Sequence, residues 1–451
     1  MATASAFAGG LLTNTNQSAS YVRNPSRDAA IAVDAVYYNP AGVAFLDKGF
    51  HLSVNWQAAW QKRQISSNAP FFSYNASNPS ADRYFEGNAK APVIPSIQFA
   101  YVINDKWSIA AQFSVVGGGG TCEFDNGLPM FESMIAGVAA SKNLKYTINQ
   151  SLTGKQIIYG FQVGTAYKIT KFLSVSAGVR GVYASMGYEG SMNGITLTGE
   201  IPGLPILNNA DSKKLNELGD YLNSVGQGQA AVILKETASK IDDYSLDCKQ
   251  KAFGVTPILG IDFKMGQWNV AAKYEFRTKL NLKNSSNNSP NVDSAVEGYA
   301  DGHYVRSDIP ALFTVGVEYS PIECLRISGG FHHYHDKAAK GIKDYTDKNT
   351  IEGLFGIEWD ANKIVTFSAG MQRTKYGLNE EKITDTNFNL SSWCLGVGAQ
   401  FNCTKFMKLN VGYFHSFYAD QEVANANGVP GLTNTYNRKN DLIGASLDFK
   451  F

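Results

Sequence analysis

Hydrophobic and polar residues alternate along most of the chain from residue 49 onward. In residues 443–451 the odd-numbered positions are apolar or aromatic, and the even-numbered positions are small or polar. The same alternation occurs near 107–115, 173–180, 268–277 and 325–331. A period of two is typical of a β-strand whose two faces meet different surroundings. The pattern therefore predicts a series of long strands, each with one apolar face.

Short and long connections alternate between these predicted strands. Six connections are short, near 104–106, 169–171, 265–267, 320–323, 360–362 and 402–405. The long, polar or irregular ones fall near 61–91, 119–150, 188–250, 283–303, 336–349, 375–388 and 419–436. In an up-and-down sheet this order puts every short turn at one end and every long loop at the other. One strand near 49–60, six hairpins and one strand near 437–451 give fourteen strands.

An even number of antiparallel strands with one apolar face favours a barrel that closes on itself within a membrane. Hydrocarbon cannot satisfy unpaired backbone N–H and C=O groups, so an open sheet edge is not tolerated there. Short turns at one end and long loops at the other are typical of outer-membrane barrels. We therefore predict an all-β fold, a 14-stranded antiparallel transmembrane β-barrel. The alternative is a soluble β-sandwich or propeller, which would bury the apolar faces in a core.

Residues 1–48 do not alternate and are predicted to form a separate N-terminal hatch, or plug, in the barrel lumen. They contain small polar residues at 13–18, an apolar stretch at 29–36 and the sequence Asn39-Pro40-Ala41. A disordered periplasmic tail is the alternative interpretation. We therefore divide the chain into a hatch at 1–48 and a barrel at 49–451, with a helical insertion at about 200–245. The first residues resemble the small-residue end of a secretory signal, so we expect that an upstream part was removed.

Composition narrows the function classes further. Charged residues make up 18% of the chain, compared with about 25% in typical soluble domains. Mean hydropathy is −0.19 and no apolar run reaches 18 residues, which excludes a transmembrane helix. The net charge is +1 without a basic stripe, which argues against nucleic-acid binding.

The cysteines and the search for catalytic motifs add little chemistry. The five cysteines lack metal-ligand spacing and no catalytic motif is found. We therefore predict a protein that is not an enzyme and that needs no cofactor or metal. Cys122 and Cys248 both fall on the loop side, where an oxidising compartment would allow a disulfide between them. That pairing stays open at this point.

Four features follow one another along the chain: Tyr38-Asn39-Pro40-Ala41-Gly42 in the hatch, Ala91-Pro92-Val93-Ile94-Pro95 before a strand, Asp308-Ile309-Pro310-Ala311, and a last strand ending in Phe451. In this order they resemble the FadL/TodX family of outer-membrane channels for long-chain fatty acids and hydrocarbons. The resemblance covers nearly the whole chain. It implies a monomeric barrel in the outer membrane of a Gram-negative bacterium, with outer-membrane lipid and a hydrophobic ligand as its partners. It also implies passive uptake of long-chain fatty acids or related lipophilic compounds, with Asn39, Pro40 and Ala41 as the hatch motif.

The family resemblance also implies a path for the ligand. Extracellular loops capture it, an interior pocket beside the hatch receives it, and an opening in strand three releases it sideways into the membrane. Gly117, Gly118, Gly119 and Gly120 end the third predicted strand. Four glycines permit positive φ and a bulge at little cost, so they are the candidate lateral opening. A flexible loop root is the alternative interpretation.

Two further groups of residues are candidate contacts for the ligand. The interior pocket would be lined by Phe7, Leu11, Leu12 and Arg180. The loop capture groove would be formed by apolar residues of two loop segments, Leu128, Met130, Phe131, Met134, Ile135, Leu204, Ile206 and Leu207. Exposed apolar patches of this kind tend to mark binding grooves. Residues 211–241 are predicted to form one or two short helices that either line this groove or pack against neighbouring loops.

The identity of the ligand and two alternative functions stay open. Arg180 is the nearest basic residue for a carboxylate, so a neutral hydrocarbon or a sterol-like compound fits as well as a fatty acid. One alternative function is a diffusion porin for polar solutes. The other is a haem-binding or adhesin-like surface barrel that uses His332, His333 and His335. These histidines are also typical of the outer end of a strand.

Overall fold

The computed structural model describes residues 10–451, apart from the side chains of Ala295 and Glu297. Fourteen strands of the described chain form a closed antiparallel β-barrel, which confirms the predicted fold class. Their bounds are β1 (Gly49–Asn68), β2 (Asp82–Val102), β3 (Trp107–Phe124), β4 (Lys145–Lys168), β5 (Leu173–Gly199), β6 (Tyr244–Met265), β7 (Trp268–Glu275), β8 (Leu312–Ile322), β9 (Leu325–Tyr334), β10 (Ile351–Asp360), β11 (Val365–Lys375), β12 (Ser392–Asn402), β13 (Met407–Tyr418) and β14 (Thr433–Lys450). Each strand pairs with the next, and β1 pairs with β14 to close the barrel.

Short elements fill the hatch and the long connections. The helices are α1 (Ala19–Arg23), α2 (Ala35–Tyr38), α3 (Pro129–Ser141), α4 (Ser212–Ser224), α5 (Gly228–Lys240) and α6 (Pro290–Ala295). Short strands occur at Leu207–Ala210, Asn281–Ser286, Tyr304–Arg306 and Gln421–Ala424. Single 3-10 turns occur at Gly42–Phe45, Pro70–Tyr74, Glu297–Tyr299, Asp336–Ala338, Lys343–Tyr345, Glu380–Lys382 and Ala426–Gly428. None of the described helices has the length and apolar character needed to cross a membrane.

The two faces of each strand differ in the way that the alternation predicts. In β10, Phe355, Ile357 and Trp359 are exposed on the outer surface of the barrel. Glu352 and Glu358 occupy alternate positions of the same strand and are buried in the lumen. An apolar outer wall around a polar lumen is the arrangement expected of a barrel that is surrounded by hydrocarbon.

The hatch, residues 10–48 of the described chain, lies inside this lumen. Every residue from 10 to 30 is buried, so these residues do not form a disordered tail. Glycines of the inner wall leave room for the hatch: a Cβ atom at Gly412 would lie 2.8 Å from the backbone nitrogen of Arg23. One at Gly316 would lie 2.6 Å from the Cβ of Asp28. Side chains at these wall positions would collide with the hatch, so glycine is what allows the close approach.

Candidate functional site

The wall of the barrel is interrupted between β2 and β3. The two strands pair up to Ser96↔Ser114 on one side and resume at Lys90↔Thr121 on the other. Residues 91–95 of β2 therefore have no partner on β3, and the opposite stretch of β3, residues 115–120, is one residue longer. We call these two stretches the β2–β3 gap.

Both edges of the β2–β3 gap are built from residues that disfavour regular pairing. Gly118 and Gly119 have φ angles of +64° and +127°, a backbone region that side chains disfavour. The pairing of β3 with β4 also shifts register at two points within this glycine run, as β-bulges do. On the other edge, Pro92 and Pro95 have no N–H group to donate to a strand ladder. The predicted glycine run therefore lies at the gap, together with two prolines.

The hatch supplies hydrogen bonds to both edges of the gap. The backbone nitrogen of Asn14 donates to the carbonyl of Val116 (2.8 Å), and its side-chain nitrogen donates to the carbonyl of Gly118 (2.6 Å). On the β2 side, the hydroxyl of Ser96 donates to the carbonyl of Gln17 (2.7 Å). Hatch residues 14–17 therefore span the interruption: they donate to carbonyl groups of β3 within the gap and accept a hydrogen bond from β2 at its border.

An apolar cluster occupies the lumen beside the gap. Its buried members are Val116, Ile158, Val182, Ala184, Met186, Tyr188, Ala252, Leu280, Leu282 and Ile309. We call it the interior apolar cluster. Leu11 and Leu12, which the sequence predicts for the interior pocket, pack in a separate group against Ala339 and Ile342 of the connection between β9 and β10. Phe7, predicted for the same pocket, lies outside the described residues.

Arg180 lies on β5 and faces the hatch. Its guanidinium forms an ion pair with Glu275 (2.6 Å) and donates to the side-chain oxygen of Gln162 (2.7 Å). Lys273 also pairs with Glu275 (2.7 Å), and it donates to the backbone carbonyl of Tyr37 (2.8 Å). Both cations lie near the Tyr37 ring, with Lys273 4.2 Å from its centre. The basic group predicted for a ligand carboxylate is therefore already paired within the described structure and supports α2.

A second group of charges holds the middle of the hatch. Arg27 donates two hydrogen bonds to Asp34, at 3.0 and 2.9 Å, and also approaches Glu358. Arg23 forms an ion pair with Glu358 (2.7 Å), and Arg326 approaches the same carboxylate. Burial favours the neutral form of Arg27, but Asp34 and Glu358 outweigh it and raise its pKa above the usual value. Arg27 therefore braces the hatch internally through Asp34, while Glu358 on the wall is held mainly by Arg23 at 2.7 Å and more distantly by Arg27 at 3.4 Å.

His332 adds a contact that the sequence does not reveal. Its Nδ1 lies 2.8 Å from Glu352 of β10, and its Nε2 lies 3.0 Å from Asp28 of the hatch. Glu352 also accepts a hydrogen bond from Gln372, and Gln372 in turn accepts one from the hydroxyl of Tyr21, a second residue of the hatch. Position 332 alternates with the outward position 331, so its inward direction could be read from the sequence, whereas its hatch partner could not.

The other histidines of this cluster lie apart from the hatch. His333 and His335 place their rings 4.7 Å apart, near the outer end of β9. No group of three or more metal-ligating side chains is found in residues 10–451. Cys122 and Cys248 are both buried and both free, so the disulfide considered from the sequence is not formed.

The predicted hatch motif lies where α2 meets the wall. Asn39 accepts a hydrogen bond from the backbone nitrogen of Gly42 (3.1 Å), and its side-chain nitrogen donates to Asp262 of β6. The carbonyl of Ala41 accepts a hydrogen bond from the hydroxyl of Ser174 (2.7 Å). Pro40 lies between these two contacts, just after the end of α2, where the chain turns toward β1. The motif therefore anchors the last part of the hatch to β5 and β6.

The predicted capture residues belong to a folded core of the long loops. Leu128, Ile135 and Leu207 are buried in it, Met130, Phe131 and Leu204 pack against it, and Met134 and Ile206 are exposed by 45% and 70%. Asp385 joins these loops: its carboxylate accepts hydrogen bonds from the backbone of Met130 and the hydroxyl of Tyr436, both at 2.8 Å. Burial raises the pKa of this carboxyl. Buried members of the predicted groove therefore become accessible only where the loops move.

A polar cavity of about 750 Å³ lies on the other side of the hatch, at the short-turn end. Its lining includes the charged residues Arg23, Arg27, Glu318, Arg326, Glu358, Asp360, Lys408 and Lys450. The lumen is therefore apolar beside the gap and strongly polar below the hatch.

Comparison with solved structures identifies barrels of the same fold. A FadL homologue of Pseudomonas aeruginosa is 15% identical, with a TM-score of 0.66 over 98% of this chain and 100% of the other. The toluene transporter TodX of Pseudomonas putida is 14% identical, with a TM-score of 0.58 over 98% of this chain and 100% of TodX. The toluene transporter TbuX of Ralstonia pickettii is 14% identical, with a TM-score of 0.53 over 95% of this chain and 98% of TbuX.

These likenesses extend over nearly the whole chain. The sequence matches no protein-family model and no curated protein. The identities are low, so the comparison establishes a FadL-like fold and leaves function to be argued from the site.

Proposed function

We propose that this protein is a passive outer-membrane channel of a Gram-negative bacterium for hydrophobic small molecules. The ligand is captured at the long extracellular loops, passes to the interior apolar cluster, and leaves sideways through the β2–β3 gap into the membrane. The observation that carries this proposal is the interruption of β2–β3 pairing, bridged by hatch residues 14–17. The chain acts as a monomer, since one barrel contains every element of this path.

The polarity of the two routes past the hatch favours the lateral one. An axial route would take an apolar ligand through the hatch contacts of Arg23 and Arg27 and into the charged cavity below. Apolar molecules gain no transfer free energy by entering such a polar space, because that gain comes from removing apolar surface from water. The gap is bordered by Val116 and Ile94, and Val93 is 63% exposed on its outer side. Hydrocarbon would therefore meet the ligand directly outside the wall.

The pairing of the interior cations favours a neutral ligand over a fatty acid. Arg180 and Lys273 share one carboxylate, Glu275, and both are buried against α2. A ligand carboxylate would have to displace Glu275 and leave it without a cation, which costs several kcal/mol (about 3–5) for a buried pair. The toluene transporters of the same fold are named for a neutral aromatic ligand. We therefore expect neutral lipophilic compounds to be preferred.

The hatch residues are proposed to move when ligand arrives. Leu11 and Leu12 lie beside a long loop, and the segment that follows them bridges the gap. Ligand that inserts next to Val116 competes with the contacts of Asn14. Release of residues 14–17 from the wall then opens the gap while Arg27 keeps the remaining hatch in place.

Replacing the glycines of the gap tests this proposal. In the variant Gly118→Val/Gly119→Val, valine disfavours positive φ, so β3 straightens and hatch residue Asn14 loses its acceptor. We expect uptake of radiolabelled toluene by bacteria expressing the variant to fall about tenfold, the rate effect of roughly 1.4 kcal/mol. The matched control is Gly353→Val, because a Cβ atom at Gly353 meets no atom within 4 Å.

The outcomes separate the functions considered from the sequence. Normal uptake in a correctly folded Gly118→Val/Gly119→Val barrel would exclude the lateral route. A diffusion porin would show steady conductance in planar bilayers with the hatch intact, whereas the proposed channel stays silent. A parallel assay with radiolabelled palmitate measures the preference for neutral ligands, which is lost if the two ligands enter at equal rates.

A further inference from the structure

Positive charge is concentrated at the short-turn end of the barrel. The six short connections with one flanking residue on each side, together with 47–48 and 450–451, contain eight lysines: Lys48, Lys106, Lys168, Lys171, Lys264, Lys363, Lys405 and Lys450. We call these residues the basic rim. The same segments contain four acidic residues, Asp47, Asp105, Glu323 and Asp360. These segments therefore carry an excess of four positive charges in a chain whose net charge is +1.

Most of the acidic residues of these segments already form ion pairs with a lysine or an arginine. The ion pairs are Lys450–Asp47 (2.5 Å), Lys48–Asp105 (2.9 Å) and Arg326–Asp360 (2.7 Å). By contrast, Lys171 and Lys405 are exposed, and within residues 10–451 no ion pair joins them to a carboxylate. The unpaired part of the basic rim is therefore available to an anion from outside the chain.

The basic rim lies next to a belt of outward aromatic rings. Trp107 and Tyr167 form a tilted ring contact with centres 4.6 Å apart, and Trp268 and Tyr319 stack with centres 4.2 Å apart. Trp107 and Trp268 are 46% and 50% exposed on the outer wall. Aromatic belts of barrels lie at the boundary between hydrocarbon and headgroups. Lys106 precedes Trp107 directly, so the rim lysines lie at the level of the lipid headgroups.

One sector of the basic rim is continuous beneath the β2–β3 gap. The backbone nitrogen of Lys168 donates to the carbonyl of Lys106 (2.8 Å), which joins the β2–β3 turn to the β4–β5 turn. The backbone nitrogen of Lys264 donates to the carbonyl of Phe172 (2.8 Å), which joins the next turn to the same row. Lys106, Lys171 and Lys264 are all exposed in this sector. Three neighbouring turns therefore each carry an exposed lysine, and the ammonium group of Lys264 also lies 6.0 Å from the ring centre of hatch residue Phe45.

We propose that the basic rim binds the headgroups of anionic phospholipids in the leaflet at the short-turn end, with its strongest site beneath the gap. Lysine ammonium groups at headgroup level donate hydrogen bonds to phosphate oxygens and are attracted by the negative potential of an anionic leaflet. The position of the rim beside the aromatic belt selects a lipid rather than a soluble anion. This inference concerns the lipid partner of the barrel and holds whichever ligand the channel carries.

Native mass spectrometry of the full chain tests the proposal. The purified protein is equilibrated in detergent with equal amounts of dioleoylphosphatidylglycerol and dioleoylphosphatidylcholine. We expect adducts with the anionic lipid to exceed those with the zwitterionic lipid by roughly fivefold or more. The variant Lys106→Gln/Lys171→Gln/Lys264→Gln should bring this ratio close to one.

A matched variant guards against a general effect of charge. Lys213→Gln/Lys214→Gln/Lys240→Gln removes three exposed lysines from the α4–α5 region at the opposite end, and it should keep the preference for the anionic lipid. Equal binding of both lipids by the unaltered protein would overturn the proposal. Equal losses of preference in the two variants would do the same. Retained heat-dependent electrophoretic mobility shows that each variant is a folded barrel.

Discussion

The barrel closes without interruption at one seam and opens at another. β1 and β14 pair from His51↔Lys450 to Asn68↔Thr433 with no break in register. β2 and β3 are neighbours in the chain, joined by a short turn, and yet they lose their pairing over residues 91–95. The seam that joins the two ends of the barrel is therefore more regular than a seam within one hairpin.

The difference follows from the residues on each edge and from what the hatch does there. Neither β1 nor β14 contains a proline, whereas Pro92 and Pro95 lie on the open edge of β2. The hatch also contacts the closed seam, where Asn16 donates to Gln57 (2.9 Å), but those strands have already satisfied their own backbone. In the gap the hatch donates hydrogen bonds to carbonyl groups of β3 that have no partner on β2, which hydrocarbon could not do. The hatch and the gap therefore form one unit, and a change to either alters the other.

Removing the central cation of the hatch should have the largest effect on this unit. In Arg27→Ala, Asp34 is left as a buried carboxylate without its cation, which costs about 3–5 kcal/mol, whereas Glu358 keeps Arg23 and Arg326. We expect the hatch to leave the lumen, the gap to lose its bridge, and planar bilayers to show steady conductance. Limited proteolysis should then cut within residues 10–48, most of which are buried in the lumen of the unaltered protein.

An exposed ion pair provides the control for this variant. Lys62 and Glu86 lie 2.9 Å apart on the outer part of β1 and β2, and pairs of this kind contribute less than about 1 kcal/mol. Lys62→Ala should therefore leave the hatch protected and the bilayer silent. If Arg27→Ala behaves in the same way as Lys62→Ala, the arginine does not anchor the hatch.

The sequence predicted the regular part of the molecule better than the part that interrupts it. Alternation and connection length are local properties, so they were enough for the strand number, the apolar outer face and the separate hatch. The glycine run at 117–120 indicated one edge of the gap, because glycine permits positive φ angles and bulges in a strand. Pro92 and Pro95 were noted in a motif, but only the strand register shows that they face the gap.

The contacts between the hatch and the barrel wall could not be predicted from local sequence patterns. His332 and Asp28 are separated by 304 positions and meet only because the barrel encloses the hatch. Arg180 points inward as expected, but it is paired with Glu275 on another strand. This pairing makes Arg180 a poor partner for a ligand carboxylate. The predicted capture residues show the same limit, since the folding of the loops decides which of them are exposed. Pairing across the lumen therefore had to come from the structure.

Restoring donors to the open edge should have an intermediate effect. In Pro92→Val/Pro95→Val, β2 gains two backbone N–H groups that can pair with β3, so the gap narrows. In the unaltered protein, deuterium exchange should be at least about tenfold faster in a peptide of 91–95 than in a peptide of 59–65, which pairs in the closed seam. The variant should reduce this difference severalfold and slow toluene uptake. Unchanged exchange in 91–95 would mean that the prolines do not keep the seam apart.

The smallest effect concerns the loop that contacts the leading part of the hatch. Asp336 is fully buried after β9, accepts a hydrogen bond from the backbone nitrogen of Thr350 (2.8 Å), and has its pKa raised by burial from 3.8 to about 6. A raised pKa in the folded state means that the protonated carboxyl stabilises the loop, and that this stabilisation is lost as pH rises through about 6. The residues that follow it, Ala339 and Ile342, pack against Leu11 and Leu12. Acidic conditions should therefore hold this end of the hatch unit more firmly.

Deuterium exchange of residues 336–350 at two pH values measures this difference. After correction for intrinsic exchange, the loop should open several times less often at pH 5 than at pH 7.5, which corresponds to about 1 kcal/mol. Asp336→Asn keeps a hydrogen-bond acceptor but cannot ionise, so its exchange should no longer depend on pH. Asp344→Asn, at an exposed position of the same connection, should retain the dependence. If the exchange of residues 336–350 still depends on pH in Asp336→Asn, another group is responsible. The closed seam between β1 and β14 lacks this loop contact, so its exchange should not depend on pH in either variant.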